Sequence, residues 1–158
     1  MAAIPDGAEL FVGLSGEQRR AVAHLARETK AFPGQALFRL GGQANAFYVV
    51  QRGSVELTFP LVVMGEHKET RFQTLEPGRT LAWSALVAPH RLTMSARATT
   101  AVDLLEFDRA RIEQLFRDDP DIGRVVMSNL ACVVGARFHE LLALWVREVQ
   151  RNVSQTYR

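Results

Sequence analysis

The sequence predicts a mainly β domain of the α+β class: an antiparallel β-roll, double-stranded and jelly-roll-like, with a short N-terminal helix and a long C-terminal helix. Three observations predict it. Ser15 followed by Gln18 is a capping-box pattern ahead of a short helical stretch, residues 35–108 break into short apolar runs separated by Gly and Pro, and after Asp119-Pro120 apolar residues recur every three or four positions. With 158 residues, 47% of them apolar, and no repeat or linker, these parts make one domain over 1–158, divided as 10–30, 35–108 and 109–152. A chain of this size buries roughly 68–70% of the surface its unfolded form exposes, so its core needs neither metal nor disulfide.

The first segment is expected to be helical, carrying Val22, Leu25 and Ala26 inward, and Pro33-Gly34 closes it. The apolar runs that follow cover 36–38, 46–50, 54–59, 61–64, 71–75, 79–83, 92–98 and 102–107, with breaks at Gly41-Gly42, Arg52-Gly53, Met64-Gly65 and Pro77-Gly78. Alternation is clearest in 54–59, where Val55, Leu57 and Phe59 should face the core. A short helix is expected over 109–117, and Asp119-Pro120 starts a longer one.

That last helix is the most regular feature of the chain. Met127, Leu130, Val134, Phe138, Leu141, Trp145 and Val149 follow at spacings of 3, 4, 4, 3, 4 and 4. A helix of about 30 residues is about 45 Å long, more than a domain of this size readily covers. A second stripe of Val126, Val133 and Leu144 widens the apolar face, so one side can meet the roll and the other a partner. The expected arrangement is a parallel homodimer through Leu130, Val134, Phe138, Leu141 and Trp145, with Gly135 at a close approach of two backbones and Arg137 turned outward or paired with Glu140. The alternative is a helix folded across its own domain.

Charge excludes some functions. Arg124, Arg137, Arg147, Arg151 and Arg158 against Asp121, Glu140 and Glu148 account for the whole net charge of +2, which leaves residues 1–120 neutral. No basic block forms on one element, so duplex binding is not expected. A lone cysteine, no secretory leader pattern after Met1 and no apolar run near 18 residues predict a soluble cytoplasmic chain that does not span a membrane. Four scattered histidines offer no His-x-His pair, and nucleotide-loop and nucleophile-elbow motifs do not occur, so neither metal, cofactor nor catalysis is expected. Cys132, among apolar neighbours on the long helix, reads as a buried, inert thiol.

The run Leu37-Phe38-Arg39-Leu40-Gly41-Gly42, followed by Phe47-Tyr48-Val49-Val50-Gln51-Arg52-Gly53-Ser54-Val55, resembles the first half of cyclic nucleotide-binding domains of the catabolite-activator type. Leu75-Glu76-Pro77-Gly78, Thr93–Ala98 and Asp103–Asp108 continue the resemblance, which covers 10–150. It implies an eight-stranded roll and a regulatory, non-catalytic role. In related transcription regulators a helix-turn-helix follows the long helix. Here only Val153–Arg158 follow Asn152, so direct DNA binding is not expected unless the chain is the sensor domain of a Crp/Fnr-type transcription regulator without its DNA-binding part.

The resemblance also implies where a ligand would sit. The family's cassette reads Phe-Gly-Glu, then Ala-Leu, then Arg-Ser/Thr-Ala, with the Glu on the ribose hydroxyl and the Arg on the cyclic phosphate. In this chain it reads Leu81-Ala82-Trp83-Ser84-Ala85-Leu86, with Ala82 in the Gly position, Trp83 in the Glu position and Leu92 in the Arg position. Arg91 is one residue off, which on a strand turns a side chain to the other face unless the register slips. Arg137 and Phe138 stand where the family contacts the purine and would crowd it. Losing the charge-assisted bond and leaving the phosphate unpaired costs roughly 4–8 kcal/mol together, or about three to six decades of affinity. The candidate pocket therefore comprises Ala82, Trp83, Ser84, Ala85, Arg91, Leu92, Thr93, Arg137 and Phe138, for a small molecule other than cAMP. Trp83 either fills that pocket or forms an aromatic wall with Ser84 and Thr93 as polar handles. A filled pocket would leave a dimerisation or scaffold domain, and an open one a ligand sensor.

Overall fold

The computed structural model describes residues 2–63 and 65–156. Met64, at the end of one expected run, and Arg158 lie outside them. The Ser15 hydroxyl accepts from the Gln18 amide and the Gln18 side chain accepts from the Ser15 amide, so the capping box is formed. The helix it starts, α1 (Gly16–Ala23), ends well short of residue 30. Leu25 and Ala26 reach the core from the turn beyond it. Arg27–Ala31 is a strand, β1, where a helical segment was expected: its Arg-Glu-Thr-Lys-Ala composition carries no apolar alternation, and pairing with residues 102–106 holds it.

Seven further strands follow: β2 (Ala36–Phe38), β3 (Ala46–Arg52), β4 (Val55–Val63), β5 (Glu66–Leu75), β6 (Thr80–Leu81), β7 (Ser95–Ala98) and β8 (Val102–Asp108). They form two four-stranded antiparallel sheets, β1-β8-β3-β6 and β2-β7-β4-β5, so the expected β-roll is the fold. The hairpin between β3 and β4 requires glycine: Gly53 has φ +82° and a Cβ there would collide with the Ala101 carbonyl oxygen. One core lies between the sheets, around Val50, Leu57, Leu75, Leu81 and Leu104. A second lies under the helices, where Phe107 stacks on Phe47 at 5.0 Å and meets Phe11 edge-on at 5.3 Å.

Two details of the roll depart from simple alternation. The expected runs 54–59 and 61–64 are one strand through Pro60, which is tolerated because β7 pairs with β4 only as far as Thr58 and the rest of β4 is an edge. Between Leu57 and Thr58 the partners on β5 jump from Gln73 to Arg71, making Phe72 the extra residue of a β-bulge. Val55 and Leu57 are buried as expected, whereas Phe59, beyond the bulge, is only partly so.

After β8 come α2 (Arg109–Asp118) and α3 (Pro120–Thr156), the latter 37 residues and about 55 Å long. The Asp119 carboxylate accepts from the amides of Asp121 and Ile122, and Pro120 takes the first helical position. Ile122, Val126, Leu130, Val133 and Arg137 form the buried face of α3, and every residue from Phe138 to Ser154 is exposed. Leu130, expected at a dimer face, is therefore core at 2% exposure. Cys132, expected to be buried, is an exposed free thiol because its position falls off the buried face of α3.

By length and composition alone, α3 is a weak candidate for crossing a bilayer. Its most apolar 18-residue window has a mean hydropathy of 1.3, and 22% of that window is buried. Here its first half supplies part of the domain core. Inserting it into hydrocarbon would strip that core of a face and carry the Arg137 charge into lipid, where a cation costs at least about 2.5–3.5 kcal/mol.

Candidate ligand-binding site

The segment joining β6 to β7 builds the site. Thr80 and Leu81 pair with Val49 and Tyr48, which fixes the start, and Ala82 then turns the chain with φ +54° and ψ +35°. This left-handed conformation favours glycine, and here an alanine holds it. A single turn of 3-10 helix, Trp83–Leu86, follows. His90 closes the loop with its Nδ1 3.0 Å from the Ala85 carbonyl oxygen, and Leu92 bonds its amide to Gly42 O and its carbonyl to the Gly41 amide.

A cavity of about 310 Å³ lies between this turn, the β2-β7-β4-β5 sheet and α3. Its walls are Phe38, Leu57 and Phe72 from the sheet, Ala82, Trp83 and Ser84 from the turn, and Leu92, Thr93 and Met94 from the approach to β7. Val134, Arg137, Phe138 and Leu141 of α3 complete it. Trp83 is partly buried and forms one wall, and space remains beside its indole, so the indole does not fill the pocket.

Seven of the nine residues expected at the pocket line this cavity: Ala82, Trp83, Ser84, Leu92, Thr93, Arg137 and Phe138. Two do not. Ala85 is fully buried in the core beneath the helices, behind the turn. Arg91 is exposed and donates from Nη1 to the Gly41 carbonyl at 3.1 Å, away from the cavity; the one-residue offset from Leu92 turns it outward and no register slip brings it back. Phe72 was missed because the bulge hides its facing, and Val134 and Leu141 were assigned to a dimer face alone. Leu57 was legible from alternation as an inward residue.

Arg137 departs furthest from expectation. It neither turns outward nor pairs with Glu140 at hydrogen-bond distance; it is 6% exposed and reaches under the turn. Its Nη2 donates to the Thr80 carbonyl and to Glu9 Oε1 at 3.1 Å, while Glu9 Oε1 also accepts from the Thr80 amide at 2.7 Å. Arg79 Nε lies 3.2 Å from Glu9 Oε2. Two guanidiniums thus share one carboxylate. Burial pulls the Arg137 guanidinium below its ordinary value, opposed by the Glu9 charge, and Arg79 adds to the pull. The side chain remains a cation and ties α3 to β6 and to the N-terminal segment. Its Nε is buried without a hydrogen-bond partner.

The arrangement can do one thing chemically: enclose a small, largely apolar molecule. Among the described residues no group of His, Cys, Asp and Glu could hold a metal ion. Among the described residues, the only charged side chain on the cavity wall is Arg137, and none supplies a carboxylate for a ribose hydroxyl.

A family model for the cyclic nucleotide-binding domain matches residues 28–119. The catabolite activator protein of Thermus thermophilus is 26% identical, with a TM-score of 0.73 over 89% of this chain and 63% of that one. A cyclic nucleotide-binding domain from Methylobacillus flagellatus shares the fold at 18% identity, with a TM-score of 0.79 over 92% of this chain and 82% of that one. The c-di-GMP responsive global regulator CLP of Xanthomonas campestris does so at 18% identity, with a TM-score of 0.70 over 84% and 64%. No curated protein matches the chain. The family model spans more than half of the sequence, and the roll, the turn after β6 and the long helix have the arrangement described above: the chain belongs to the cyclic nucleotide-binding domain family.

Proposed function

We propose that this chain is a non-catalytic, cytoplasmic ligand-sensing domain whose cavity takes a small molecule other than cAMP, and that it works as a homodimer. One observation carries the reading: an open cavity is lined by the turn that the sequence resemblance marks as the binding cassette, with Trp83 and Leu92 on its wall in place of the Glu and Arg of that resemblance. A volume of about 310 Å³ is at the small end of ligand sites, which run from ~300 to 1,000 Å³. That the fold serves different ligands is supported by the Xanthomonas regulator, described as responsive to c-di-GMP, beside a regulatory domain of Toxoplasma gondii PKA solved with cAMP.

The cavity and the long helix share parts, which supplies a route for a signal. Phe138 and Leu141 line the cavity and are also exposed, at 60% and 38%. A second copy laid along the outer half of α3 would cover them, so occupancy of the cavity and packing of the helix act on the same two side chains. The sensor reading is preferred to a scaffold with a filled pocket because space remains beside Trp83.

Calorimetry and thermal shift test this. cAMP and cGMP should bind no more tightly than about millimolar, whereas a true ligand at 100 times its dissociation constant should add about 2.7 kcal/mol of stability. The double substitution Trp83→Glu with Leu92→Arg should gain cAMP affinity. Micromolar cAMP binding by the unmodified protein would overturn the reading.

A further inference from the structure

Arg137 presents an unusual combination: it is 94% removed from solvent, lines the cavity, and leaves Nε buried with no hydrogen-bond partner. A buried N–H without an acceptor costs about 1–3 kcal/mol, more on a charged group. The local charge is unbalanced as well. Among the described residues, Glu9 is the one carboxylate in contact with either Arg137 or Arg79, and both guanidiniums use it. Glu140, on the same helix, is exposed, and water screens its charge. The cavity wall thus carries one cationic side chain in otherwise apolar surroundings of Phe38, Leu57, Phe72, Met94 and Phe138.

We infer that the cavity binds an amphipathic organic acid: an apolar, aromatic or alkyl body with a single carboxylate that accepts from Arg137. This rests on the reading of the cavity as a ligand site and names its ligand class. The body is held by the apolar walls and the Trp83 face, and the carboxylate supplies a negative charge opposite the Arg137 guanidinium. A phosphate is disfavoured at the opposite wall, where Leu92 is apolar and Arg91 is turned outward. Because Arg137 also holds Thr80 and Glu9, an acid on its free edge bears on the contact that fastens α3 to β6.

The test uses the full chain carrying Trp145→Phe, which leaves Trp83 as the only tryptophan and its fluorescence as a reporter of the cavity. The probes are 4-phenylbutyrate, 2-naphthylacetate and octanoate, each beside its primary amide, with cAMP as a further arm. At least one acid should shift Trp83 emission and bind about tenfold to a hundredfold more tightly than its amide. Arg137→Gln should abolish that preference, and Arg137→Lys should retain part of it. If Arg137→Gln does not fold, the acid-against-amide comparison and Arg137→Lys still decide. Equal binding of acid and amide would overturn this inference and leave the sensor reading standing. Micromolar cAMP with no acid bound would overturn both, and no response to any acid would overturn the inference alone.

Discussion

The two halves of the long helix carry the same apolar rhythm and meet different surroundings. From Pro120 to Arg137, every third or fourth residue is core: Ile122, Val126, Leu130 and Val133 are all under 9% exposed. From Phe138 on the rhythm continues through Leu141, Leu142, Leu144, Trp145, Val146 and Val149, and each of these is at least 37% exposed. The difference lies beneath the helix, where Phe11, Phe47, Phe107 and α2 underlie the first half, whereas among the described residues the second half meets its domain at the cavity wall, through Phe138 and Leu141. Periodicity identifies an apolar face, and the tertiary contacts decide what faces it. An exposed apolar stripe several turns long exceeds the scattered apolar residues usual on a soluble surface. That excess supports a partner for the outer half.

Truncation on either side of Arg137 gives the largest expected contrast. Leu130→Ala removes a fully packed side chain and should cost about 2–5 kcal/mol, read as a lower midpoint in urea. Leu142→Ala, 42% exposed on the outer half, should change the same midpoint by no more than about 0.5 kcal/mol in dilute solution. Equal losses would mean that the outer half is as well packed as the inner.

A smaller effect on folding, but a large one on mass, is expected from Leu141→Glu. Burying Phe138, Leu141 and Trp145 between two copies is worth about 1.5–3 kcal/mol for each side chain, and the substitution sets like charges face to face. Light scattering at tens of micromolar should report a dimer for the unmodified protein and a monomer for the variant. A monomer before substitution, or an unchanged mass after it, would remove the partner from the comparison.

How far the sequence could be read follows the same division between local signal and tertiary context. The capping box at Ser15, the Gly-bounded strands and the start of α3 at Pro120 are local, and all three were legible. β1 was not, because the polar run Arg27-Glu28-Thr29-Lys30 becomes a strand only through its partner β8. At the site, the turn residues from Ala82 to Ser84 and the apolar Leu92 were legible from their order. Phe72 was hidden by a bulge that belongs to the pairing of two strands. Arg137 was misplaced since helical spacing says nothing of Glu9, 128 residues earlier, which draws it inward. Leu130 was placed on the wrong face for a related reason: the buried row shifts by only one residue from the exposed one.

The smallest expected effect concerns Ala82, at the boundary between the β6 strand and the cavity turn. Its φ of +54° places the Cβ against the following carbonyl, a conformation that costs a residue other than glycine about 1–2 kcal/mol. Ala82→Gly relieves that strain. It also loses a methyl group that is 9% exposed and gives the unfolded chain more freedom to lose, worth about 0.5–1 kcal/mol in the other direction. The net change should be a gain of at most about 1 kcal/mol in urea. Because Ala82 lines the cavity beside Trp83, the same substitution widens the wall slightly, so acid-probe affinity should change by less than about tenfold while the midpoint rises. A loss of more than about 1 kcal/mol would show that the Ala82 methyl is needed for packing. The turn would then be held by the core beneath it, as the inner half of α3 is.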